Sequence, residues 1–104
     1  APDEAGHNGD VREKITAIER FDKFVVGTFL KYFEKSKEKF RILILPDHAT
    51  PLSVRTHTSD TVCFGLFGEG IAPNGFSNMS EQLAKESQVK FASGVELIEY
   101  FFRE

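Results

Sequence analysis

The chain has 104 residues, is 40% hydrophobic and 28% charged, and carries a formal net charge of −3. These values exclude a disordered or collagen-like polymer and leave room for one small globular domain. A mildly acidic chain has no electrostatic attraction to nucleic acid or to an anionic membrane. No apolar run reaches the roughly 18 residues of a membrane helix. The single cysteine, Cys63, excludes an internal disulfide and points to a reducing, cytoplasmic setting. Eleven Phe and no Trp predict an aromatic core.

The chain opens on APDEAGHNGD, which reads as a loop of turn-forming and chemically active residues. Loops that carry chemistry usually hang from a strand or helix that positions them. No such element precedes this one, so the chain is expected to be part of a longer protein. The first helix is predicted from Asp10, an N-cap with Glu13 three residues on. Apolar residues recur at Val11, Ile15, Ile18, Phe21, Val25, Phe29 and Tyr32, which continues the helix to about Lys37. Gly27, in the middle, marks a kink or break. KSKEK at 35–39 reads as a solvated last turn with cations near the helix C-terminus.

FRILIL at 40–45, ending in Pro46, reads as a strand buried on both faces in a mostly parallel sheet. Residues 46–60 form a polar loop, and TVCFGLFG at 61–68 is a second buried strand. A turn-rich stretch at 68–75 leads to a short helix starting near Asn78. A last helix follows Ser93, with Glu96 completing a capping box and Val95, Ile98, Phe101 and Phe102 buried. Two strands alone make a marginal sheet, so further strands are expected from the rest of the protein or from a second copy. The fold class is α/β.

Each of the three histidines has an aspartate nearby. Asp3 and His7 are four residues apart, Asp47 and His48 are adjacent, and His57 is followed by Asp60. Asp47 and His48 lie just past the end of the first predicted strand. In open α/β sheets, ligands bind in the crevice outside the carboxyl ends of the strands. A helix running away from that edge and a strand returning to it would bring residues 3–7 and 47–48 together. Carboxylate and imidazole without thiolate suit Mn²⁺, Zn²⁺, Fe²⁺ or Mg²⁺. Each pair alone is more often a cap or surface feature than a metal site; three at one sheet edge make a metal site as credible as the bland reading. Cys63, in an apolar strand without a histidine at strand spacing, reads as a buried thiol and not a nucleophile. Arg55 could clasp a phosphate with its planar fork or pair with a nearby aspartate. Asp60 could orient His57 or serve a turn.

The string RILILPDHATPLSVRTHTSDTVCF, together with APDEAGHNGD upstream, resembles the C-terminal part of the archaeal-type cofactor-independent phosphoglycerate mutases, members of the alkaline phosphatase superfamily. The likeness covers nearly the whole chain. It implies a portion of a three-layer α/β/α domain that holds two divalent metal ions, with Mn²⁺ favoured over Zn²⁺ or Mg²⁺. It assigns Asp3, His7 and His57 to the first ion, and Asp47 and His48 to the second. A further aspartate and the nucleophilic Ser or Thr would come from the missing N-terminal part, so no catalytic nucleophile lies in this chain and the chain alone is expected to be inactive. The implied substrate is a small phosphorylated three-carbon acid. Ala49 stands where the family often has Pro, and Thr61 and Cys63 replace the two prolines of its PVPF string. Those changes bear on loop stiffness and not on ligation. A homoserine kinase-like phosphotransferase and a non-catalytic metal-binding domain remain as alternatives.

Overall fold

A computed structural model describes residues 2–48, 61–76 and 78–103. They fall into two compact units. The first carries three α-helices and residues 47–48. The second carries a two-stranded sheet and two α-helices.

In the first unit, α1 (Pro2–Asn8) replaces the expected opening loop. Local chemistry explains the correction. Pro2 occupies the first helical position, where a missing N–H costs nothing. Asp3 and Glu4 lie in the first turn, where negative charge suits the helix dipole. Gly9 then takes φ 69°, the left-handed conformation that ends a helix. Asp10 caps α2 (Val11–Phe21) as expected, its carboxylate accepting from the Glu13 N–H at 2.9 Å. Helical structure continues through a π-helical segment, Asp22–Val26, into α3 (Gly27–Ser36). The irregularity therefore lies just before Gly27. The Gly27 N–H donates to the Asp22 carbonyl, one residue further back than in an α-helix, and Gly27 itself has ordinary helical torsions. Lys37 closes α3 in a left-handed conformation, φ 58°.

The apolar stripe of α2 and α3 is exposed. Val11, Ile15, Ile18, Phe21, Phe24, Phe29 and Tyr32 all face solvent in large part. A 3.6-residue period identifies the face that wants cover; it does not supply the cover.

In the second unit, β1 (Arg41–Ile44) pairs with β2 (Gly65–Gly68). The pairing is antiparallel, with Arg41 opposite Gly68 and Ile44 opposite Gly65. This corrects the parallel expectation. A short apolar run does not encode strand direction, and the partner found here runs the other way. Both strands are shorter than expected and half-buried, and Phe67 is exposed. The Glu69 N–H donates to the Phe40 carbonyl at 2.8 Å just beyond the paired residues. Gly68 has φ 132°, and a Cβ there would run into the Phe40 carbonyl oxygen, so this approach requires glycine.

α4 (Glu81–Glu86) starts later than expected, capped by the Ser80 hydroxyl, which accepts from the Leu83 N–H at 3.1 Å. α5 (Gly94–Phe102) starts where expected. The Ser93 hydroxyl accepts from the Glu96 N–H at 3.3 Å, and the Glu96 carboxylate accepts from the Ala92 N–H at 3.1 Å. Its buried face differs from the expected one. Leu97 is 5% exposed, whereas Val95, Ile98 and Phe102 face solvent and Phe101 is half-buried. The helix is apolar on most sides, so spacing alone did not select the face. Packing selected it: Tyr100 meets Phe91, centroids 5.3 Å apart, and Phe91 meets Phe64 at 5.7 Å. Among the described residues, no helix is long and apolar enough to cross a membrane.

Candidate metal centre

Asp3 and His7 are separated by one turn of α1, so they project from the same helix face. The His7 Nε2 lies 3.4 Å from the Asp3 Oδ1. His48 approaches the same oxygen from a distant part of the chain, its Nε2 at 4.0 Å. One carboxylate oxygen thus faces two imidazoles. His48 is 29% exposed and Asp3 about half exposed, which leaves the group open to an incoming ion. Asp47 lies beside His48, with its Oδ2 4.0 Å from the His48 Nε2, and is 98% exposed.

The candidate ligands come from three separate stretches of sequence. The structure brings Asp3, His7 and His48 together and leaves the Asp47 carboxylate largely in solvent. Arg55, His57 and Asp60 lie outside the described residues. Cys63 is half-buried.

The donor set can be tested against a metal ion on its own geometry. Two ligands held at about 2.1 Å on a tetrahedral ion stand about 3.4 Å apart. The Asp3–His7 pair meets that spacing and the Asp3–His48 pair is wider. Oxygen and imidazole nitrogen are the donors that suit Mn²⁺, Zn²⁺ or Mg²⁺. Among the described residues, however, no three His, Cys, Asp or Glu side chains close into a complete metal-binding group. The described residues therefore supply paired donors that need further ligands.

The second unit has a shallow concavity lined by Arg41, Gly70, Ile71, Tyr100 and Arg103. It contains no carboxylate or imidazole. Arg41 is engaged there with backbone: its guanidinium donates to the carbonyls of Glu69 at 2.6 Å, Phe101 at 2.8 Å and Arg103. That concavity is a structural tie.

The loop expected over the opening residues is a helix that aligns Asp3 with His7 and ends at Gly9. The signal was present as Pro near the start, acids in the first turn and Gly just past the end.

A carboxylate oxygen flanked by two imidazoles offers donors of the kind that metal ions take. The chain belongs to the Metalloenzyme superfamily, whose model matches residues 1–92. Over 98 residues it is 45% identical to the 2,3-bisphosphoglycerate-independent phosphoglycerate mutase of Methanothrix thermoacetophila, a match covering 94% of this chain and 25% of that protein. It is 43% identical over 99 residues to the mutase of the same name from Methanosarcina acetivorans, covering 94% of this chain and 25% of that protein. A probable mutase of this kind from Geobacter sulfurreducens is 43% identical over 100 residues, 95% of this chain and 25% of that protein. The chain thus spans about a quarter of the length of these curated relatives. No solved structure matches it.

Proposed function

We propose that this chain carries part of the metal site of a cofactor-independent phosphoglycerate mutase, which interconverts 2-phosphoglycerate and 3-phosphoglycerate through a phosphoenzyme. The observation that carries the reading is the Asp3 carboxylate oxygen facing His7 at 3.4 Å and His48 at 4.0 Å. The identity to the mutases over nearly the whole chain supports it.

In this reading Asp3, His7 and His57 hold one divalent ion, and Asp47 and His48 help to hold a second, with Mn²⁺ preferred. When bound, such ions would lower the barrier to phosphoryl transfer by neutralising charge on the phosphoryl oxygens. The chain's own contribution is orientation. α1 sets Asp3 and His7 on one face, and Arg55 offers its planar fork to the substrate phosphate. The nucleophile and a further aspartate come from polypeptide outside this chain, within a three-layer α/β/α domain, so the 104-residue chain alone is inactive.

The test is an assay of the full-length protein with 3-phosphoglycerate as the only substrate, supplied with Mn²⁺. His7→Gln and His48→Gln are each expected to lower turnover by about ten- to a hundredfold, the loss that follows from disturbing a metal's environment. Turnover of homoserine with ATP and none of phosphoglycerate would replace this reading with a kinase. Full activity in both variants would remove the metal assignment.

A further inference from the structure

Asp3 and His7 stand on α1, which has only seven residues. A helix that short is not stable by itself in water. The two side chains meet where the backbone between them is helical, because a helix stacks residues four apart one above the other, whereas a strand would set them about 13 Å apart. Something beyond α1 must therefore hold it in shape.

The described contacts place that support at Gly9 and Asp10. With Gly9 at φ 69°, its N–H donates to the Gly6 carbonyl at 3.1 Å. The Asp10 N–H donates to the Ala5 carbonyl at 3.0 Å. Together these bonds close the end of α1 as a Schellman motif. Asp10 also begins α2: its carboxylate accepts from the Glu13 N–H at 2.9 Å, and its carbonyl accepts from the Lys14 N–H at 3.1 Å. One residue ends the helix that bears the ligands and starts the next, so α2 anchors α1 through Asp10. Ala5, whose carbonyl takes the Asp10 N–H, is fully buried, which leaves no space for the turn to shift.

We infer that Gly9 and Asp10 are positioning residues for metal binding: their double cap sets the fraction of molecules in which Asp3 and His7 are presented together. The inference rests on the metal reading above. The apparent affinity of a site equals its intrinsic affinity reduced by the fraction of molecules in the competent form. Loss of the cap therefore appears as weaker metal binding, although neither residue is assigned as a ligand.

The experiment is a Mn²⁺ titration of the full-length protein, following the signal of free Mn²⁺ by electron paramagnetic resonance. Asp10→Ala removes the carboxylate that caps α2 and so loosens the anchor of α1 while keeping the backbone N–H bond to the Ala5 carbonyl, and Gly9→Val removes the left-handed turn that ends α1. Each is expected to weaken Mn²⁺ binding measurably, by up to about fivefold, the limit a lost cap sets when the competent form is the minor one. Asp10→Ser keeps a capping oxygen without the charge, and Gly9→Asn tolerates the left-handed turn. Both are expected to bind within about twofold of the parent. Amide hydrogen exchange without metal should show His7 and Asn8 exchanging faster in Asp10→Ala and Gly9→Val, with α3 and α5 unchanged.

Parental affinity in Asp10→Ala and Gly9→Val would overturn the inference. So would acceleration of exchange throughout the chain, which signals general loss of structure, or an Asp10→Ser variant as weak as Asp10→Ala, which signals charge and not capping. Asp3→Asn separates the two levels. If it abolishes Mn²⁺ binding while the cap variants bind normally, only the positioning role falls. If it binds like the parent, the metal reading falls and takes this inference with it.

Discussion

In the first unit, the contacts that shape the candidate site are mostly short in sequence. His7 reaches Asp3 across one helical turn, Asp10 caps an amide three residues on, and the Asp10 amide returns to Ala5. In the second unit, Arg41 binds carbonyls 28, 60 and 62 residues away, and Phe64, Phe91 and Tyr100 make a chain of ring contacts. The first unit thus builds chemistry from local geometry while leaving a long apolar helix face exposed. The second builds cohesion from distant contacts and presents neither carboxylate nor imidazole in its concavity. A ligand pair within one helical turn needs little tertiary structure to align it, whereas a core needs contacts that only folding brings together.

The sharpest way to break this contrast is Leu97→Ala. Among the described residues of the second unit, Leu97 is the well-buried large apolar side chain, and its truncation is expected to cost about 3 kcal/mol. Urea unfolding of the 104-residue chain measures it as a lower midpoint at unchanged slope. A loss below about 1 kcal/mol would deny the unit a core of its own. Next is Arg41→Ala, expected to cost about 2 kcal/mol because charged hydrogen bonds to backbone carbonyls are lost together. Arg41→Lys should recover less than half of that loss in the same measurement, since an ammonium lacks the planar fork. The smallest effect belongs to the first unit. Phe24, on the exposed stripe and 62% exposed, should tolerate Phe24→Ser within about 0.5 kcal/mol in the 104-residue chain. A larger loss would show that the stripe is covered.

Local signals were legible where a few adjacent residues settle the matter. Asp10 and Ser93 cap helices where their side chains and the glutamates three residues on predict it. The apolar period running through α2 and α3 is a single helical stretch with one π-helical turn. The opening helix was equally local in cause but was obscured by its density of chemically active residues. Strand direction was not legible, because an apolar run such as RILI suits either neighbour. Neither was the buried face of α5, where apolar residues occupy most sides.

The order of residues by itself determined the caps, the helical period, the Asp3–His7 spacing and the family likeness, since each depends on residues close together or on a matched motif. Only the tertiary structure decided that His48 comes to the Asp3 oxygen, that β1 and β2 run antiparallel and that Leu97 is the residue α5 buries. Those outcomes depend on which distant surfaces meet, and a choice among distant surfaces is made by the packing of the whole unit and not by any short stretch of chain.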